Sequence, residues 1–311
     1  LDLLADAIRG TQLNPTLLSD HVAPSDLIRL ICPEVTLDLS RIGPAVLFSG
    51  AMPEDCFTLT LITECPGKGH AFNFGLDYSA GYLGFFPPGA AVDSAAPAGC
   101  GNAIATIPLE TFHRELEIHF PDIPESWLKR GVCFEVGARE FRLLKRLLAE
   151  VEGGLGDGAG GDLGASRMAR RNLEAELVPA YLAALRSAPA AQIPEPGTQV
   201  DARLRRLDRV REYVAAHARE RVSVEDIARV AGVTARGLEK LFRERLDVTP
   251  HSYVIRQRLC GANRDLARAQ KEHGAVKRIA LNWGFWHMGR FAHDYRALFG
   301  EMPSQTLASR I

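Results

Sequence analysis

The order of hydrophobic and polar positions divides the chain into stretches of different period. Between residues 22 and 133 the apolar residues come in short alternating or continuous runs at 35–39, 45–49, 56–63, 70–74, 82–86 and 103–108, punctuated by Gly and Pro. Such runs predict short strands, and their regular spacing predicts a mainly β barrel or sandwich, with a cupin-like barrel as the specific expectation. Phe85-Phe86-Pro87-Pro88-Gly89 reads as a strand running into a tight turn. From about Glu140 the period changes to a helical one, with Phe141, Leu143, Leu144, Leu147, Leu148 and Val151 on one face. A second helix is expected over 166–185, carrying Leu173, Leu177, Val178, Tyr181, Leu182 and Leu185. Between them, 153–164 holds seven glycines in twelve residues, which predicts a flexible connection.

Pro189, Pro194 and Pro196 interrupt the pattern, and proline cannot continue a helix, so a linker is expected there. Beyond it everything is helical in period. Residues 207–217 form one amphipathic stretch and 253–269 another, with Ile255, Leu259 and Leu266 inward. The expected organisation is a β-rich domain over 1–138, a helical dimerisation segment over 139–187, a linker over 188–201 and an all-α domain over 202–311.

The all-α part contains an internal repeat. Ile227-Ala228-x-x-x-Gly232 returns 52 residues later as Ile279-Ala280-x-x-x-Gly284. Phe242-Arg243 is followed eight residues from the aromatic by Pro250, as Tyr295-Arg296 is by Pro303. An apolar-Ala pair, a glycine turn and a second amphipathic helix make a helix-turn-helix pattern, with Gly232 and Gly284 at the turns. Ile227, Ala228, Leu238, Leu241 and Phe242 are the expected core of the first copy. Ile279, Ala280, Trp283, Phe291 and Tyr295 are that of the second. Trp286 is expected to pack with them. Ser223 and Asp226 fit a capping box, and Thr234 fits an N-cap for the second helix of the first copy.

Charge sharpens this division. The whole chain has 37 Lys and Arg against 38 Asp and Glu, a net charge of −1, which on its own argues against a nucleic-acid binder. Residues 1–200 hold 15 basic and 25 acidic residues, net −10, and residues 201–311 hold 22 and 13, net +9. A basic all-α domain beside an acidic β-rich one points to nucleic acid at one end only.

Other chemistry is sparse. Gly156-Asp157-Gly158-Ala159-Gly160-Gly161 matches a dinucleotide fingerprint in form, but an amphipathic helix precedes it where the fingerprint needs a strand. The six cysteines show no CxxC spacing, and the nine histidines include no His-x-His and no HExxH. No nucleophile elbow or phosphate loop appears. No cofactor, metal or catalytic residue is therefore expected. Arg142 and Arg146, and Arg167 and Arg171, stand at i, i+4 and are candidates for holding an anionic effector; a solvated helix face is the alternative. No apolar run is long enough to span a membrane. The opening residues carry Asp2 and Asp6 with no basic region, so no secretory signal is expected, and the start at Leu1 is expected to be a trimmed one.

Two helix-turn-helix units joined by a rigid helix over about 203–307 resemble the AraC/XylS family of bacterial transcription regulators. The segment from Gly284 through Phe285-Trp286-His287 and Phe291-Ala292-His293-Asp294-Tyr295 to Pro303-Ser304 resembles most the branch of ethanolamine-operon regulators. The resemblance implies a cytoplasmic, nucleoid-associated regulator, activators included, bound to double-stranded DNA. It also implies a small-molecule effector of unknown identity in the β-rich half, a homodimer and contact with RNA polymerase. In such a motif the second helix enters the major groove. The expected base contacts are Arg236, Glu239 and Lys240 in the first copy and Gly289, Arg290 and His293 in the second. Glu239 either accepts from a cytosine or only orients Arg236 or Arg243. Gly289 removes a side chain, so the second copy is expected to read fewer bases. Arg243 and Arg296 are the expected phosphate contacts. A constitutive or architectural DNA binder, and an enzyme-derived sensor fused to a DNA-binding domain, remain the alternatives.

Overall fold

The computed structural model describes residues 8, 11, 13–20, 23–66, 71–73, 76–123, 128–129, 131–156, 163–188 and 199–309. Most of the expected linker and the centre of the glycine-rich connection lie outside the described residues.

The N-terminal half holds two antiparallel sheets. Five strands, β1 (Asn14–Leu17), β4 (Val46–Ala51), β9 (Ala91–Ala96), β6 (Phe72–Asn73) and β7 (Leu76–Asp77), lie in that order in one. Six more, β11 (Val132–Glu135), β8 (Tyr82–Phe86), β5 (Cys56–Glu64), β10 (Cys100–Pro108), β3 (Thr36–Ile42) and β2 (Asp26–Ile31), lie in that order in the other. Side chains alternate across a strand, so each sheet has two faces to cover. In the six-stranded sheet Ile42, Ile62, Phe86 and Ile104 point toward the five-stranded sheet. Leu37, Leu59, Leu61, Leu83, Phe85 and Ala105 point the other way.

That second face is closed by helices α1 (Leu109–His119), α2 (Ala138–Gly156) and α3 (Leu163–Arg186). Tyr181 is fully buried there and its hydroxyl donates to the Ala103 carbonyl at 3.0 Å. The apolar stripe of α2 and α3, Leu144, Leu147, Leu148 and Val151 with Leu177, Val178, Tyr181, Leu182 and Leu185, is therefore spent on the chain's own sheet. Leu143 is the exception and is exposed. The amphipathicity that suggested dimerisation has this intramolecular cause.

The C-terminal half is all helical: α4 (Gln199–Ala216), α5 (Val224–Ala231), α6 (Ala235–Leu246), α7 (Pro250–Arg268), α8 (Ala275–Asn282), α9 (Met288–Phe299) and α10 (Pro303–Ala308). Its first unit packs on the outer face of the five-stranded sheet. Leu47 of β4, Ala95 of β9 and Leu18 join Leu207, Val210, Val214, Ile227, Phe242 and Tyr253 in one buried cluster. Ion pairs edge this seam. Arg211, nearly buried, meets Asp93 and Asp208. Arg245 meets Asp77, and Arg256 meets Asp20, both at 2.7 Å. The basic half and the acidic half thus attract each other inside one molecule.

Burial raises the Asp208 carboxyl from 3.8 to about 6. Above pH 6 the folded chain carries this carboxylate partly desolvated, while the unfolded chain carries it in water. As pH falls from about 6 toward 3.8 the folded form takes up a proton that the unfolded form does not, and the penalty is relieved. The melting temperature relative to that of Asp208→Asn is therefore expected to rise as pH falls from about 6 to 4. A difference independent of pH would contradict this.

The two helix-turn-helix units depend on α7 between them. Gly261 of α7 lies against Trp283, where a Cβ would stand 2.1 Å from the ring edge. The ring cannot easily yield, because its Nε1 donates to Asp265 at 2.8 Å and Arg219 lies over its face at 4.7 Å. Helix propensity alone would make Gly261→Ala stabilising by about 1 kcal/mol. The clash outweighs it, and a net loss of about 1–3 kcal/mol is expected in denaturant unfolding.

Candidate nucleic-acid interface

The first unit is built by local signals that the chain states twice. Ser223 accepts from the Asp226 N–H at 3.1 Å and Asp226 accepts from the Ser223 N–H at 3.3 Å, a closed capping box that starts α5. Gly232 ends α5 with φ +66°, and Gly284 follows α8 with φ +78°. These left-handed values are the ones a side chain resists. The Val233 N–H then reaches back to the Ala228 carbonyl at 3.0 Å, and the Phe285 N–H to the Ala280 carbonyl at 2.9 Å. The same five-residue backbone bond thus closes both turns.

The turns are not identical. Gly232 and Gly284 are 52 residues apart, whereas the residues preceding α6 and α9, Thr234 and His287, are 53 apart. The second turn is one residue longer, and Trp286 lies in it. Trp286 is 76% exposed, against 9% for Trp283 and 1% for Phe291. The expectation that it packs in the core is corrected: the longer turn carries the indole outward beside exposed His287.

The starts of the two second helices also differ. Thr234 accepts from the Gly237 N–H at 3.1 Å and so satisfies one orphan donor of α6. His287 makes no side-chain cap at α9. The first-turn N–H groups of α9 are left for solvent or an anion, with the positive end of the helix dipole behind them.

Along α6 the side chains of Arg236, Glu239, Lys240 and Arg243 are all exposed, opposite buried Leu238, Phe242 and Leu246. Along α9 Gly289, Arg290, His293 and Arg296 are exposed, opposite buried Phe291, Tyr295 and Leu298. Lys240 reaches Glu244 and Arg290 reaches Asp294, both at 3.6 Å across one turn. Exposed pairs of this kind contribute about 0–1 kcal/mol, so both cations are cheaply released to another anion. Arg245, by contrast, is held against Asp77. At Gly289 an added Cβ would meet nothing within 4 Å, so packing does not require glycine there. Leu241 is half-buried, whereas, Trp286 apart, the other residues expected in the two unit cores are buried. Tyr295 anchors the second core: its hydroxyl accepts from Asn263 of α7 and bonds Thr306 of α10, both at 2.7 Å.

The arginines considered for an anionic effector lie elsewhere. Arg142 and Arg146 are exposed on α2, with Arg146 3.8 Å from Glu150. The side chains of Arg167 and Arg171 lie outside the described residues. Between the two sheets there is a cavity, and neither Arg142 nor Arg146 lines it. Among the described residues no helix is long and apolar enough to cross a membrane.

Comparison with known proteins places the similarity in the basic half. Residues 227–309 match the model of a helix-turn-helix domain family. The probable thc operon regulatory protein of Rhodococcus erythropolis is 40% identical over 96 residues, 31% of this chain and 29% of that protein. The XylDLEGF operon transcriptional activator of Pseudomonas putida is 34% identical over 100 residues, 32% of this chain and 31% of that protein. The chain therefore covers about three-tenths of the length of these two relatives. Among solved structures, an AraC-type transcriptional regulator from Chromobacterium violaceum is 31% identical, covering 34% of this chain and 93% of that one, with a TM-score of 0.32.

Proposed function

Because the chain belongs through its C-terminal domain to the AraC/XylS type of DNA-binding regulator, we propose that it is a sequence-specific transcription regulator whose β-rich half responds to a small molecule. The observation that carries the reading is the pair of helix-turn-helix units fixed to one connecting helix. Each presents a basic, exposed face on its second helix. The 19 residues of α7 span about 28 Å at 1.5 Å per residue. Successive major-groove faces recur about every 34 Å, so units spaced on this scale suit adjacent grooves.

In this reading α6 and α9 each enter a major groove. Arg236 and Arg290 read guanine edges bidentately, and Lys240, Glu239 and His293 flank them. Gly289 stands where the first unit has Arg236, so the second unit reads fewer bases. Arg243 and Arg296 hold phosphates. Trp286 lays its indole along the sugar edge of the groove beside the uncapped start of α9. Response to a ligand would travel through β9. Val92, Ser94 and Ala96 line the cavity, while Asp93 and Ala95 of the same strand face the reader. A homodimer through the exposed face of α2, and contact with RNA polymerase, complete the proposed partners.

Selection of bound fragments from random DNA is expected to return two conserved blocks about 10 base pairs apart, the second less constrained. A single block would overturn the two-groove reading. Arg290→Ala should cost about 1–3 kcal/mol in binding and relax preference at one position of the second block. Arg296→Ala should weaken all sequences alike and reduce the salt slope by about one unit. Exchange of these two behaviours would contradict the assignment of base and phosphate roles.

A further inference from the structure

The cavity between the two sheets states the chemistry of what fits it. Its walls come from both sheets: Ile62 and Ile104 from the six-stranded one, Phe48 and Val92 from the five-stranded one. Among the described residues that line it there is no lysine, arginine, histidine, aspartate or glutamate. Burial pushes the Cys133 thiol in the wall up to about 12, so it stays neutral. The space is small, a cavity of about 60 Å³.

Among the described residues, two lining residues, Asn73 and Ser40, each hold a buried polar atom without a partner. The Asn73 side chain is 5% exposed, and among the described residues neither its Oδ1 nor Ser40 Oγ has a hydrogen-bond partner. A buried acceptor left unpaired costs about 1–3 kcal/mol, so a ligand that supplies the donor recovers that penalty. Space is set aside for the Asn73 amide. Gly84 of β8 lies beside it, and a Cβ there would stand 2.5 Å from Asn73 Nδ2.

Resting on the proposed ligand-responsive role of this half, we infer that the cavity takes a slim, uncharged, mostly apolar molecule with a hydrogen-bond donor group at one end, as a primary amide or alcohol has, with a donor hydrogen on Asn73 Oδ1. A carboxylate or phosphate is disfavoured, because an ion here meets no cation among the described lining residues and loses its water.

The test is calorimetry on the full chain with three six- or seven-carbon probes: hexanamide, which donates; 2-heptanone, which only accepts; and hexanoate, which is charged. Hexanamide is expected to bind about fivefold more tightly than 2-heptanone, the worth of one hydrogen bond. It should bind at least about tenfold more tightly than hexanoate. Asn73→Leu should erase the preference over 2-heptanone while 2-heptanone still binds. Ile104→Phe, filling the cavity, should abolish binding of all three; Ala96→Met from the opposite sheet does the same service if that variant does not fold. Hexanoate binding as tightly as hexanamide, and lost in the filled variants, would overturn the inferred class and leave the responsive role standing. Hexanamide binding as described with no change in DNA affinity would support the class and sink the responsive role. Absence of binding, or binding indifferent to the filled variants, would overturn the inference.

Discussion

Strand β9 has no free face, and most of the architecture follows from that constraint. Its even-numbered residues, Val92, Ser94 and Ala96, close the cavity between the sheets. Its odd-numbered residues, Asp93 and Ala95, meet the helical reader. β4 pairs with it in the register Leu47 to Ala95 and Phe48 to Ser94, so the two strands present matching faces. Since a one-residue slip would turn Asp93 into the cavity and Ser94 onto the reader, register here is fixed by two buried surfaces at once. β10 plays the same part in the other sheet, with Ile104 toward the cavity and Ala103 and Ala105 toward the helices. The chain is thus a stack: helices, sheet, cavity, sheet, reader.

The seam between sheet and reader is asymmetric in charge. Asp20, Asp77 and Asp93 lie on the sheet side, and Arg256, Arg245 and Arg211 on the helical side. Arg211 is the most buried of the three. Removing one partner of such a pair is more harmful than the pair is worth, because a desolvated charge is left behind. Arg245 and Arg256 pair with exposed aspartates and are held less firmly. All three arginines sit on α4, α6 or α7, so these pairs bind the sheet to the first unit and the connecting helix.

The all-α half was legible in detail because its signals are local. The capping box at Ser223, the cap at Thr234 and the glycine turns each specify a backbone state within a few residues. Trp286 was misread because the helical period was carried through a turn that is one residue longer than its counterpart. Counting 52 against 53 between the copies would have revealed it. In the β-rich half the runs at 82–86 and 56–63 matched strands closely. β9 was missed because Ala-Val-Asp-Ser-Ala-Ala has little strand propensity; burial on both faces selects its small residues. Helix α1 was missed inside a stretch read as β, and its buried Phe112 and Leu116 show the helical spacing only in retrospect. The cavity was not legible at all. It depends on which of Ser40, Asn73 and Asn102 face inward, and that is set by pairing between strands far apart in sequence.

The central claim is that one strand joins the cavity to the DNA reader. Coupling of this kind is reciprocal, so DNA at the reader must alter β9 even without a ligand. Hydrogen exchange on the full chain, with and without a selected DNA site, measures this directly. The account predicts that amides of β9 and β4 change protection on DNA binding while those of β10 do not. Unchanged exchange in β9 and β4, with the reader fully bound, would contradict it.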